Sequence, residues 1–157
     1  MREGDYLAMA RAMHSGDLRD FKNLLLNVAQ AADNEDNFRD FAVLFPGIET
    51  IDQLREQTPE EVFAGLMQAL VGMMPDLRAI LVGAEIETLG AVTEGEDLIH
   101  VVHRMTMQVD GATVTTIDVV SLQQYEDGYL ILIDEQVRGI ATALPRQFGI
   151  EPEPRQE

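Results

Sequence analysis

The feature that most constrains the fold of this chain is a pair of β-strand patterns that meet at Asp110-Gly111. Asp-Gly between two runs of alternating β-branched residues is the strongest short-range signal for a two-residue hairpin turn. Such a turn makes Val109 pair with Ala112, and every further partner follows by counting outward from the turn. The pattern therefore predicts a hairpin over residues 97–125 with a fixed register.

The predicted register divides the hairpin into two faces. The inner face carries Ile99/Leu122, Val101/Val120, His103/Asp118, Met105/Thr116 and Met107/Val114, and the outer face carries His100/Ser121, Val102/Val119, Arg104/Ile117, Thr106/Thr115 and Gln108/Thr113. The inner set is expected to face the core, because a slip of one residue would send all its apolar side chains to the wrong side. His103 opposite Asp118 then forms one acid–base pair on an otherwise apolar face.

The composition narrows the classes of protein to which the chain can belong. A length of 157 residues fits one domain, and roughly 70% of the unfolded surface can be buried at this size. The absence of cysteine excludes disulfides, thiolate metal sites and a cysteine nucleophile. The formal net charge of −17 opposes binding to nucleic acid and to anionic membranes. No apolar run approaches the ~18 residues of a membrane span, so we expect a cytoplasmic protein without membrane contact.

Helical periodicity dominates the first half of the chain. The expected helices are one over 5–14, stopped by Ser15-Gly16, a second capped by Asp17 and extending to about Ala31, a short apolar one ended by Pro46-Gly47, and one beginning at Thr58-Pro59-Glu60-Glu61. The last start is the clearest, because a capping box is combined there with proline at the first helical position.

After Gly83 the apolar period changes from 3.6 to 2, which predicts strands. Four strands are expected in an antiparallel meander, at about 85–93, 97–109, 112–125 and 129–133. If Gly95-Glu96 is a two-residue loop, Val92 faces Ile99, Thr88 faces His103 and Ile86 faces Met105. A last helix from Glu135 to about Leu144 is expected before a polar tail.

Helices followed by a meander predict an α+β fold, in which the N-terminal helices pack on one face of a curved four-stranded sheet. We expect a single domain over residues 1–144 and a polar C-terminal tail over 145–157. The layout, with Ser15-Gly16-Asp17 before a leucine-rich helix, resembles the nuclear-transport-factor-two-like superfamily, which includes ketosteroid isomerases and polyketide cyclases. Over roughly residues 5–144, the resemblance implies a cystatin-like cone with a pocket between sheet and helices. It also implies that catalytic acids and bases lie on the inward sheet face.

His103 and Asp118 are the candidate catalytic residues. A carboxylate beside an imidazole raises the basicity of the ring and suits proton abstraction next to a carbonyl, as in an isomerase or cyclase. The alternative is that the two side chains only satisfy each other within the core. The remaining residues expected to line the pocket are Tyr6, Met13, Thr88, Val101, Met105, Met107, Thr116 and Val120.

Two functions are left open by the sequence. The first is a pocket that binds a small apolar ligand bearing a carbonyl group, and the alternative is a non-catalytic structural or interaction module whose cone is filled by its own side chains. Neither a cofactor nor a metal is expected, since the three histidines are scattered. A homodimer through the outer sheet face is expected, because Val102, Ile117 and Val119 would otherwise leave an apolar strip in water.

Overall fold

The structure is a computed structural model that describes residues 5–31, 35–73, 83–133 and 137–139. Within these ranges the helices that precede the strands are α1 (Tyr6–Arg11), α2 (Ser15–Ala31), α3 (Glu35–Ala42), α4 (Ile51–Glu56) and α5 (Pro59–Met73). The strands that follow are β1 (Glu85–Glu94), β2 (Leu98–Val109), β3 (Ala112–Tyr125) and β4 (Gly128–Ile131). They form one antiparallel sheet in the order β1-β2-β3-β4. The predicted α+β class, with helices before a four-stranded antiparallel meander, is confirmed.

The apolar stripes of α2 and α5 form much of the buried core. On α2 the buried residues include Leu18, Phe21, Leu25 and Val28, and on α5 they include Val62, Phe63 and Leu66. The rings of Phe21 and Phe63 meet edge to face, with centroids 5.5 Å apart. Burial of each such side chain contributes about 1.5–3 kcal/mol to the free energy of folding, so this contact fixes the two helices together.

The start of α5 forms the predicted capping box. The Thr58 N–H donates to Glu61 Oε2 at 2.8 Å, and the Glu61 N–H donates to Thr58 Oγ1 at 3.2 Å. Pro59 is the first helical residue, where its missing N–H costs no hydrogen bond.

The start of α2 differs from the prediction. The helix begins at Ser15, so Ser15-Gly16 opens α2, and Asp17 lies in its first turn and is not its cap. The Asp17 carboxylate instead accepts from the Ile133 N–H and from Arg138 Nη2, both at 2.9 Å. These partners are more than 100 residues away in sequence, so no local pattern could indicate them.

The region between α2 and α5 also differs from the prediction. Helix α3 ends at Ala42, before the predicted end at Pro46-Gly47, and α4 was not predicted at all. Six residues are too few to show a helical period, but a capping box marks the start of α4. Thr50 Oγ1 accepts from the Gln53 N–H, and Gln53 Oε1 accepts from the Thr50 N–H.

The register of the β2–β3 hairpin agrees with the prediction at every pair, from Ile99 opposite Leu122 to Val109 opposite Ala112. Asp110 and Gly111 have φ values of 52° and 78°. Positive φ at both central positions is the signature of a type I′ turn, whose twist matches that of the flanking strands.

The β1–β2 pairing departs from the prediction at two points that compensate each other. The loop contains three residues, so Glu94 pairs with Leu98, and Val92 pairs with His100 and not with Ile99. A β-bulge between Thr88 and Gly90 then absorbs one residue of β1. Beyond the bulge, Thr88 lies opposite His103 and Ile86 opposite Met105, as predicted.

The helical layer joins the sheet at the edge formed by β4. Met13 pairs in parallel with Ile131, the Ile131 N–H donates to Ala12 O at 2.9 Å, and the His14 N–H donates to Ile131 O at 2.8 Å. Ile133, just after β4, belongs to the buried core of the helices. All of β1 is exposed and most of β2 is half-buried. The buried core of the described residues therefore lies in the helical layer.

Some predicted elements fall largely outside the described residues. Residues 137–139 are helical, whereas the rest of the predicted helix over 135–144 and the tail over 145–157 lie beyond the described ranges. Within the described residues, no helix combines the length and the apolar character that a membrane span requires.

Candidate functional site

The candidate site is centred on His103 of β2 and Asp118 of β3, which lie directly opposite each other. Both residues are half-buried. Their side chains are not hydrogen-bonded to each other: Asp118 Oδ2 accepts from Thr116 Oγ1 at 3.0 Å, and His103 has no hydrogen-bond partner among the described residues. The backbone pairing is as predicted, but the expected acid–base contact is replaced by a contact within β3.

The exposure of β3 distinguishes the two sheet faces. Thr116, Asp118 and Val120 are half-buried, whereas Ile117 and Val119 between them are exposed. The face that carries His103 is thus the less exposed one on β3, in agreement with the predicted inner face. The predicted pocket residues that share this face with His103 and Asp118 are Thr88, Val101, Met105, Met107, Thr116 and Val120.

Strand pairing separates Met13 from this group, whereas the place of Tyr6 is known only through the packing of its helix. Tyr6 lies in α1, which packs against α5. Met13 pairs with Ile131 at the free edge of β4, so β3 and β4 separate it from His103 in β2. The sequence predicted that both residues come from helices over the inner face, but helical periodicity does not specify where along a sheet a helix lies.

A second polar cluster lies on the outer face. His100 Nε2 is 2.7 Å from Glu94 Oε2, and His100 Nδ1 is 2.9 Å from Ser121 Oγ. The sequence paired His100 with Ser121 but ended the first strand at about residue 93, so Glu94 was expected in the turn. In the structure Glu94 instead belongs to β1 and pairs with Leu98, which puts it on the same face as His100. Two glycines in the sequence could have indicated this difference: Gly90 within the strand pattern suggests a bulge, and Gly95 lies in the turn.

This acid–imidazole–hydroxyl chain has the order found in serine hydrolases. Ser121, however, lies inside a strand that is paired with β2, and its carbonyl accepts from the Leu132 N–H at 2.9 Å. Ladder hydrogen bonds at such a position occupy the backbone N–H groups that an oxyanion would need. Because the Glu94 side chain is 71% exposed, we interpret the cluster as a surface link between three strands.

The groove whose lining the structure resolves within the described residues does not adjoin His103. This groove of about 1180 Å³ lies in the helical layer, between α2, α3 and α4, and no strand residue lines it. No group of three or more His, Asp or Glu side chains in the described part of the chain could hold a metal ion.

Comparison with known proteins found no protein-family model, no curated protein and no solved structure that matches this chain. The resemblance to the nuclear-transport-factor-two-like superfamily therefore stays a prediction from the layout of the sequence.

Proposed function

We propose that this protein binds a small apolar ligand that bears a carbonyl group, on the inner sheet face around His103. The observation that carries the proposal is the state of the His103 side chain. It is half-buried, it lies between Val101 and Met105 along its strand face, and no described residue hydrogen-bonds to it. A ligand oxygen would give the partly desolvated imidazole N–H a hydrogen-bond partner, and polar groups that are removed from water require one.

The neighbours of His103 support a pocket for an apolar molecule. Met105 and Met107 are half-buried on the same face, and methionine side chains adapt their shape to irregular ligands. The hydroxyl of Thr116 donates to Asp118 Oδ2, which leaves the other carboxylate oxygen, Oδ1, to accept a hydrogen bond from a ligand. The resemblance of the sequence layout to the cone-shaped superfamily is a further reason to propose a ligand on this face.

The geometry supports binding more directly than catalysis. Proton transfer by a His–Asp pair requires the carboxylate within hydrogen-bond reach of the imidazole. Asp118 is instead bonded to Thr116. An isomerase-like or cyclase-like step would require Asp118 to leave Thr116 and turn towards His103.

The outer face is the proposed surface for a homodimer. Ile117 is 62% exposed and Val119 is 49% exposed, and both lie on this face beside half-buried Val102. A second copy would remove this apolar strip from water. Sedimentation should show a dimer that Ile117→Lys converts to a monomer, while Ile86→Lys on the inner face leaves the mass unchanged. A monomer of the unmodified chain at micromolar concentration would refute the dimer.

A cytoplasmic location is also part of the proposed function.

The binding proposal is tested by titration with prodan, a neutral and largely apolar fluorescent ketone. Loss of one neutral hydrogen bond costs ~0.5–1.5 kcal/mol, so His103→Ala should weaken prodan binding about twofold to tenfold. His100→Ala is the matched control, because it removes a histidine from the opposite face of the same strand. It should leave the affinity within about twofold, within the usual range for substitutions away from a site.

Two outcomes would contradict the proposal. Equal losses for His103→Ala and His100→Ala would show that prodan does not bind at the inner face. A lack of saturable binding by prodan and by other neutral ketones would favour the structural module, in which side chains of the protein itself fill the space.

A further inference from the structure

The groove in the helical layer is a second candidate binding site, separate from the sheet. Its volume is about 1180 Å³, and it is bounded by the end of α2, by α3, by the connection from α3 to α4, and by α4 itself. Ligand pockets typically span ~300–1,000 Å³. The groove is therefore large enough for an extended ligand that lies partly open to solvent.

The lining of the groove is largely apolar. Phe38, Ile48 and Ile51 are half-buried, and Val43 is 64% exposed. A β-turn shapes this wall: the Ile48 N–H donates to Phe45 O at 3.0 Å, and Gly47 has a φ of 84°. Proline followed by a glycine with positive φ is the arrangement of a type II turn. An aliphatic chain on this wall would cover apolar surface that water now contacts.

The lining of the groove includes two guanidinium groups in a strongly acidic chain. The protein has 28 acidic and 11 basic residues. Two of its basic residues, Arg39 and Arg55, are among the described residues that line the groove, together with Glu49. Arg55 forms an ion pair with Asp52, and both side chains are about half exposed or more. Such exposed pairs are weak, and a guanidinium has five N–H donors, so Arg55 can also bind a second carboxylate.

We propose that this groove binds a long-chain fatty carboxylate. The carboxylate is held by the guanidinium groups of Arg55 and Arg39, and the alkyl chain lies along Phe38, Val43, Ile48 and Ile51. The position of Arg55 is fixed by Lys22 of α2, whose Nζ donates to Arg55 O at 2.7 Å and to Gln57 O at 2.6 Å. The wall that carries the cation is therefore tied to the rest of the helical layer. This proposal does not depend on the sheet site.

The test is isothermal titration calorimetry of the full chain with dodecanoate below its micelle concentration. Dodecanoate should bind with a single stoichiometry, and octanoate should bind at least tenfold more weakly, because each buried methylene is worth up to about fourfold in affinity. Dodecanol, which has the same chain without the charge, should also bind at least tenfold more weakly.

The variants assign the site. Arg55→Gln and Arg39→Gln should each weaken dodecanoate binding about tenfold and leave dodecanol binding unchanged. Arg19→Gln, an exposed arginine of α2 outside the groove, is the matched control and should have no effect. His103→Ala should also have no effect on dodecanoate, so this proposal and the proposal for the sheet can fail separately.

Three outcomes would overturn the proposal. Equal binding of dodecanol and dodecanoate would show that the arginines do not recognise the carboxylate. An equal loss on Arg19→Gln would show attraction to charge without a site. If Val43→Asp reduces the mass of an oligomer and leaves dodecanoate binding unchanged, a second copy of the chain occupies the groove.

Discussion

Thr116 lies two residues before Asp118 on the same strand face and determines whether Asp118 can bond to His103. The Thr116 hydroxyl holds the Asp118 carboxylate on β3 at 3.0 Å, so the imidazole on β2 has no acid partner across the strands. The register alone could not reveal this, because opposite backbone positions bring side chains within reach without selecting which hydrogen bond forms. His103 and Asp118 should therefore contribute to stability independently.

A double-mutant cycle measures this independence. His103→Ala and Asp118→Asn should each lower the free energy of unfolding by less than about 1 kcal/mol, since both residues are only half-buried. The double variant should equal the sum within ~0.5 kcal/mol in urea denaturation. A coupling energy above about 1 kcal/mol would show that the two side chains bond to each other in solution.

Asp17 is the residue for which the local sequence pattern was most misleading. Aspartate is a preferred N-cap residue. The carboxylate of Asp17 nevertheless accepts from the Ile133 N–H and from Arg138, near the end of the described residues. Its side chain is only 16% exposed. Asp17 thus connects the start of α2 to the segment after β4.

Replacing Asp17 should be costly for that reason. Asp17→Ala leaves the Ile133 N–H and the Arg138 guanidinium without this acceptor, so the free energy of unfolding should fall by ~1–3 kcal/mol. Asp20→Ala, at an exposed position of the same helix, should change it by less than ~0.5 kcal/mol. Similar losses in urea denaturation of the two variants would mean that Asp17 acts only through the charge of α2.

At the level of elements, the sequence predicted what depends on neighbours in the chain. The β2–β3 register was predictable because the Asp110-Gly111 turn and the alternating pattern are both local. The α5 start was predictable because its cap lies within four residues. Pairing of β1 required knowledge of a bulge at Thr88 to Gly90, and a bulge adds only one residue without altering the apolar pattern enough to be recognised.

Two glycines of the sheet should respond to alanine with opposite signs. Gly111 has a φ of 78°, where an L residue is strained, so Gly111→Ala should lower the free energy of unfolding by ~1–2 kcal/mol. Gly90 has no positive φ, and nothing lies within 4 Å of the place that a Cβ would occupy, so an added methyl group displaces no neighbour. Gly90→Ala should raise stability by up to ~1 kcal/mol, because glycine weakens strands. Thermal melts that show equal effects would contradict the assigned turn.

The capping box of α5 gives a pH-dependent signal. The Thr58 N–H, and then the Thr58 hydroxyl, hold the pKa of the Glu61 carboxyl below its ordinary value. Because the pKa is lower in the folded state, the stabilisation is complete above the ordinary carboxyl pKa and is lost as the pH falls through the lowered one. Thr58→Val should raise the Glu61 pKa only in part, since the backbone N–H remains. NMR measurement of the Glu61 carboxyl carbon shift against pH would give this pKa in both proteins. An unchanged pKa in Thr58→Val would exclude a role of the hydroxyl.

At the scale of the whole molecule, the sequence predicted the order of elements but not the place of the core. Alternation along β3 identified the less exposed face correctly. It could not specify what lies over that face, because the contacts between helices and sheet are set by tertiary packing. In the structure the helices pack mainly on one another and meet the sheet beside β4, through Met13, Ile131 and Ile133.

The most direct test of the proposed ligand site is a methyl NMR titration of the protein with prodan. We expect saturable shifts of the methyl signals of Val101, Met105 and Val120 on the inner face, with none at Val102, Ile117 and Val119 on the outer face. Shifts confined to the outer face, or to Val43 and Ile48 in the helical groove, would contradict a ligand site around His103.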